Sequence, residues 1–214
     1  MSKYLASYRT TAKLANLKKR SHQTPKQIRA TIRESRQAIP PPYARQAAAK
    51  FVELLVELDW YKNADRIAAY LPFNGEADPL PLMDRAIIDG KQIFVPVIVD
   101  KSEPLRFEAW TRETKVTENK FHIREPNASE ASITPVELDL VITPLVAFDR
   151  QRNRLGVGGG YYDRTFACLN DVASADRRPL LVGLGDELQR IKKIDSQSHD
   201  VKLDAVVTET GVLS

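Results

Sequence analysis

LDLVITPLVAFDRQRNRLGVGGGYYD, residues 138–163, is the stretch on which the fold of this 214-residue chain turns. Leu138, Leu140, Val141, Ile142, Leu145, Val146 and Phe148 make a near-continuous, partly β-branched apolar run. Such a run suits a strand covered on both faces, as in a parallel sheet. Asp149–Asn153 reads as a polar, exposed turn. Gly156-Val157-Gly158-Gly159-Gly160 then holds four of the chain's nine glycines in five positions. That much glycine costs backbone entropy unless the chain needs positive φ or a close approach to something. Tyr161–Ala167 can open a helix. Strand, glycine loop and helix start together predict a phosphate cradle, in which loop N–H groups converge on an anion and the helix dipole adds to them.

A glycine run alone is a weak signal, because a plain strand-to-helix connector has the same composition. The run is not a P-loop, since no Gly-Lys-Ser/Thr follows. Nor is it the dinucleotide fingerprint, since Tyr161 stands where the third glycine belongs. Its neighbours favour the anion reading. Arg152 and Arg154 suit phosphate oxygens, Asp163 suits Mg²⁺, and Tyr161 and Tyr162 suit a flat heterocycle.

Outward from this stretch, strands alternate with helices. Thr24 and Pro25 fit the cap and first position of a helix over Lys26–Ala38, with Ile28, Ile32 and Ile39 inward and Lys26, Arg29, Arg33 and Arg36 on its polar face. Pro40-Pro41-Pro42 breaks the chain. A second helix is expected over Tyr43–Asp59, with Ala47, Phe51, Leu54, Leu55 and Leu58 as core. Asp65–Phe73 reads as a strand with the loop Asn74-Gly75-Glu76 at its C-terminal end, where ligands bind in open α/β sheets. Pro79–Asp89 reads as a helix stopped by Gly90. Gln92–Val99 and Leu105–Trp110 read as strands, the second with Arg106 and Glu108 outward. Phe107 and Trp110 are candidates for enclosing a flat ligand, against core packing for at least one of them. Leu180–Gly185 and Ala205–Thr208 are the last strands, with an unassigned amphipathic stretch, Gln189–Gln197, between them. The alternation argues one three-layer α/β/α domain with a mainly parallel sheet over residues 25–214.

Composition excludes several classes. The lone Cys168 rules out an internal disulfide or a cysteine-rich zinc site and fits a reducing cytosol, so a cytoplasmic enzyme is expected. No apolar run approaches the ~18 residues of a membrane helix. Residues 1–24 carry six basic side chains and no acid, so a chain of net charge +4 leaves −2 for the remainder. The basic pI thus belongs to an N-terminal extension, read as frayed, with a transit peptide as the sharper alternative. A nucleic-acid partner would put its basic surface in the folded body, so none is expected.

Residues 144–166, PLVAFDRQRNRLGVGGGYYDRTF, resemble the signature of the 5-formyltetrahydrofolate cyclo-ligase (5,10-methenyltetrahydrofolate synthetase) family. A weaker likeness runs from about Lys26 to the C-terminus. The resemblance implies a sugar-phosphate isomerase/CoA transferase-like α/β fold, ATP as co-substrate, Mg²⁺ as cofactor, and a monomer acting on 5-formyltetrahydrofolate. It implies ATP contacts from Lys26, Arg29, Arg154, Leu155, Gly156, Val157, Gly158, Gly159, Gly160, Tyr161 and Tyr162. Folate contacts are implied from Leu71, Glu76, Val157, Gly158, Gly159, Gly160 and Tyr161, and metal contacts from Asp163 and Asp200, with Asp204 as competitor for the second carboxylate. The chain departs from the family's pattern four residues before Arg29, where Pro25 stands and the lysine is displaced to Lys26. The implied reaction phosphorylates the formyl oxygen and closes the ring through N10. Two alternatives remain: an isomerase or CoA transferase-like enzyme using the loop for a substrate phosphate, and a non-catalytic folate- or nucleotide-binding protein.

Overall fold

The computed structural model describes residues 23–126, 132–167 and 178–214. An eight-stranded sheet in the order β12-β11-β10-β7-β1-β2-β3-β6 organises them. Its strands are β1 (Arg66–Ala68), β2 (Gln92–Val97), β3 (Arg106–Trp110), β6 (Ser132–Ile133), β7 (Leu140–Pro144), β10 (Leu180–Leu184), β11 (Ala205–Thr208) and β12 (Gly211–Leu213). The five central strands are parallel, β12 and β3 run antiparallel to them, and β6 pairs antiparallel with β3 at one edge. The mainly parallel α/β class expected from the sequence is the one observed.

The apolar run of residues 138–148 supplies the central strand. Leu140 and Ile142 bury on one face, with Ile67, Val95, Val182 and Val207. Val141 buries on the other, with Ala68, Phe94, Leu181 and Val206. The first face is covered by α2 (Pro41–Leu55) and α4 (Leu80–Ile88), through Ala47, Phe51, Leu55, Leu82, Met83 and Ala86. The second face is covered by Phe166, at the end of the short α5 (Tyr161–Thr165), and by Val201 and Leu203. A third cluster joins α1 (Pro25–Gln37) to the centre: Ile28 and Ile32 pack on Val146, Ala147, Ile191 and Ile194. This cluster brings α1 to the C-terminal end of the sheet. The one-turn α3 (Asp59–Lys62) follows α2.

Several elements differ from expectation for identifiable reasons. Pro41 and Pro42 do not break the chain but open α2. A proline in the first turn removes an N–H that has no intrahelical acceptor anyway. Between β7 and the glycine loop lies a hairpin, β8 (Ala147–Phe148) and β9 (Arg154–Leu155), paired antiparallel. Its turn holds Asp149, which is not exposed but 1% accessible. The Asp149 carboxylate accepts from the N–H groups of Gln151, Asn153 and Ile194 at 2.9–3.1 Å and from Asn153 Nδ2 at 3.0 Å, a local wrapping common for this residue type. Glu108 is also buried, because β6 extends the sheet beyond β3. Phe107 is fully buried and Trp110 packs against the cluster on the opposite face, so both belong to the core. A small hairpin, β4 (Val116–Glu118) with β5 (Arg124–Pro126), completes the described elements.

Candidate active site

The C-terminal ends of β1, β2 and β7 open into a cleft of about 820 Å³, within the size range of small-molecule sites. Leu71 and Glu76 line it from the segment after β1, Pro96 and Ile98 from β2, and Pro144–Val146 from β7. The glycine loop and one face of α1 complete it.

The glycine loop is shaped by its neighbours. Gly158 and Gly160 hold φ of +110° and +65°, values that disfavour any side chain. Arg29 of α1 donates from Nε to Gly156 O at 2.8 Å. Its guanidinium carbon would lie 3.4 Å from a Cβ on Gly158, and a Cβ on Gly159 would fall 2.6 Å from the Tyr161 ring. None of the N–H groups of Gly156–Gly160 donates to a protein acceptor among the described residues. None of these residues is buried and Val157 and Gly158 are exposed, so water can serve the free donors, and a run of such donors on a cleft is the kind of surface that binds an anion.

Arg154 lies against this loop. Its side chain is 6% accessible, and Nη2 meets Asp163 Oδ1 at 2.6 Å. Its guanidinium sits 5.4 Å from the Tyr162 ring centroid. Asp163 Oδ1 also accepts from Val201 N–H at 3.2 Å, which brings the neighbouring Asp200 to the same edge. Asp200 accepts from Gln197 N–H through Oδ2. Asp204 is not part of the cleft: its carboxylate pairs with Arg178 and caps Leu181 N–H. Among the described residues no group of three or more His, Cys, Asp or Glu side chains is gathered as a metal cage. The two carboxylates Asp163 and Asp200 at the edge of the cleft are oxygen donors of the kind a hard divalent cation accepts.

On the β1 side, Glu76 Oε2 accepts from Phe73 N–H at 3.1 Å. Burial pushes its carboxyl up to about 7, with Arg36 acting in the opposite direction. Arg36, placed on the polar face of α1 by its type, is 5% accessible. It donates to Asn74 O at 3.0 Å and Leu145 O at 3.4 Å, and burial lowers its pKa. Tyr162 lines the cleft, and burial raises its hydroxyl pKa.

Of the sequence candidates, Leu71, Glu76, Arg29, Arg154–Asp163 and Asp200 border this one cleft. Lys26 does not: it is exposed on α1, one residue and so about 100° round the helix from Pro25. Pro25, Arg29, Arg33 and Arg36 share the cleft-facing side. Arg152 also turns away, at φ +66°, to donate to Leu203 O. Arg33, Arg36, Arg164 and Glu125 border the cleft without having been singled out as contacts. The helical spacing from Arg29 reaches Arg33 at once. Glu125 comes from the three-residue β5 and Lys192–Lys193 from an irregular segment, and neither is long enough to carry a periodic signal.

The model of the 5-formyltetrahydrofolate cyclo-ligase family matches residues 21–209. The chain belongs to the 5-formyltetrahydrofolate cyclo-ligase family. The cyclo-ligase of Escherichia coli K12 is 32% identical over 183 residues, 85% of this chain and 98% of the relative. That of Haemophilus influenzae is 33% identical over 83% and 93% of the two chains. The solution structure of the Aquifex aeolicus 5,10-methenyltetrahydrofolate synthetase superposes with a TM-score of 0.74 at 26% identity, covering 89% of this chain and 92% of that one. The match spans both walls of the cleft, so the protein is read as a cyclo-ligase and not as an isomerase or transferase on a similar sheet. No helix among the described residues is long and apolar enough to cross a membrane.

Proposed function

We propose that this cyclo-ligase uses ATP, with Mg²⁺, to cyclise 5-formyltetrahydrofolate to 5,10-methenyltetrahydrofolate, releasing ADP and phosphate. One observation carries the reading: the five consecutive N–H groups from Gly156 to Gly160, unpaired among the described residues, line a cleft that also holds Arg29, Arg154 and Glu76. The phosphates of ATP supply the acceptors that the loop lacks. Arg29 and Arg154 offset their charge, and Tyr161 and Tyr162 border the junction of nucleotide and folate. Leu71 packs against the pterin, and Glu76 accepts from its amino-pyrimidinone edge. Lys26 keeps a role only as a distant cation near the mouth.

The chemistry follows from the weakness of the formyl carbonyl as an electrophile. The formyl oxygen attacks the γ-phosphorus and ADP departs. N10 then bonds to the activated carbon and loses its proton, and the C–O bond breaks to release phosphate. Little is asked of the protein beyond alignment and charge neutralisation. The fit for the metal rests on Asp163 Oδ2, which makes no bond among the described residues, and on Asp200 beside it. When bound there, Mg²⁺ would neutralise charge on the phosphate oxygens.

The methenyl product has a conjugated chromophore that the formyl substrate lacks. Purified enzyme should generate its absorbance only when ATP and Mg²⁺ are both present, and signal without nucleotide would overturn the proposal. Asp163→Asn keeps an oxygen for Arg154 and Val201 N–H but loses the charge, and is expected to lower kcat by roughly 100-fold. Near-normal turnover by this variant would remove Asp163 from the metal site.

A further inference from the structure

The first residue of the cleft to need explanation is Arg164, which follows the glycine loop on α5. Its Nη1 donates to Gly159 O at 2.8 Å and its Nη2 to Lys101 O at 2.8 Å. Its guanidinium sits 5.0 Å from the Tyr161 ring centroid. Nε is buried and has no partner among the described residues. Both terminal nitrogens are thus held by backbone carbonyls, one face lies on a ring, and the remaining nitrogen is buried. The contact is also tight. A Cβ on Gly160 would lie 2.9 Å from Arg164 Nη1, so the glycine there, at φ +65°, is what lets the guanidinium reach the Gly159 carbonyl.

We infer that Arg164 is a positioning residue that sets the glycine loop in its anion-binding form by tying it to the segment between β2 and β3. In a trans peptide the C=O and N–H point in opposite directions. Holding Gly159 O on the guanidinium thus holds the Gly160 N–H on the other side of that peptide, where it has no protein acceptor among the described residues. A loop with positive φ at two glycines has several backbone conformations of similar energy. A fork with two rigidly spaced donors selects one of them. A second tie runs parallel to the first: Leu105 N–H donates to Thr165 Oγ1 at 2.8 Å, and Thr165 Oγ1 donates to Tyr161 O at 2.7 Å. Thr165 therefore keeps α5 on the β2–β3 segment when Arg164 is lost, so the sheet and helix survive while the loop loosens.

This inference rests on the loop's being the nucleotide cradle. Its test is steady-state kinetics of Arg164→Ala and Arg164→Lys with each substrate varied in turn, together with thermal unfolding and amide hydrogen exchange. Arg164→Ala should raise the KM for ATP about tenfold or more, with the KM for 5-formyltetrahydrofolate within about twofold and Tm within about 4 °C of wild type. Amides of residues 156–160 should exchange faster, while those of β7 and β10 do not change. Lysine reaches one carbonyl but not both, so Arg164→Lys should fall between alanine and wild type. An unchanged KM for ATP in Arg164→Ala would overturn the positioning role. So would equal rises in both KM values with a large loss of Tm, which mark a merely structural residue. Wild-type turnover indifferent to ATP would instead remove the nucleotide reading, and the positioning role with it.

Discussion

Glu76 and Arg154 show how one cleft gives opposite treatment to two charged side chains. Arg154 is almost fully covered but keeps a carboxylate at 2.6 Å, the condition under which a buried charge is retained. Glu76 has no cation within ion-pair distance among the described residues, and burial raises its carboxyl to about 7. A protonated carboxyl accepts poorly from two N–H donors, so a pterin edge selects the carboxylate. The affinity for 5-formyltetrahydrofolate should therefore rise with pH up to about 7 and level off above it. Titration of the folate KM between pH 5.5 and 8.5 checks this, with Glu76→Gln expected to bind more weakly and without the pH step. A wild-type KM that is flat across this range would mean that Glu76 does not meet the pterin as an anion. Arg154 and Asp163 are legible in the sequence because they flank the glycine run, and Glu76 only through the family resemblance. The burial that perturbs Glu76 is not legible, and neither is the inward turn of Arg36, which opposes that perturbation from a helix whose composition reads as solvated.

At the scale of elements, the apolar run of residues 138–148 announced a central strand, and periodicity announced α1, α2 and α4. What periodicity does not carry is a two-residue strand. The β8–β9 hairpin is therefore invisible beforehand, although it decides where the glycine loop starts. The same holds for Gln189–Gln197, which forms no long helix and serves through Ile191 and Ile194 as the seat for α1. Those two isoleucines bring Arg29 to the loop, so the cradle is assembled from elements more than a hundred residues apart. The loop itself has little room. Valine at position 159 would drive its Cβ to within 2.6 Å of the Tyr161 ring, a distance no packed side chain tolerates. Gly159→Val should raise the KM for ATP by about tenfold or more and shift Tm by only a few degrees, since no core residue moves. Comparable losses in both would return the loop to the status of a connector.

For the molecule as a whole, the charges in the cleft have a consequence for stability. Arg36 is the cation near two acids, the half-buried Glu76 and the buried Asp186. Desolvation raises Asp186 to about 7 as well, with Glu209 adding to the rise and Arg36 opposing it. Both groups have folded pKa values above their unfolded ones, 4.5 for Glu76 and 3.8 for Asp186. The native state then holds protons that the unfolded chain has released. Their contribution is complete below those unfolded values and is lost as pH rises through about 7. Asp89, Asp100 and Glu137 are shifted the other way by hydrogen bonds, chiefly from Arg85, Ser102 and Thr134. Their contribution is present above the ordinary carboxylate range and is lost as pH falls. The two trends cross, so the ligand-free enzyme should unfold at its highest temperature near pH 5, lose Tm toward about pH 7 and level off above it. Glu76→Gln/Asp186→Asn should flatten the descent between pH 5 and 8 and leave the acid limb in place. The descent is steepest between the unfolded and folded values, at about pH 5 to 6, and ends as the two carboxyls ionise near 7. On the role proposed for Glu76, stability and substrate recognition oppose each other at one carboxyl, as expected where a functional group is held away from its preferred charge state. Thermal unfolding from pH 4 to 8.5, with and without 5-formyltetrahydrofolate, measures both sides. Added folate should raise Tm more at pH 8 than at pH 5.5, and an equal rise at both would contradict the assignment of Glu76 to the pterin.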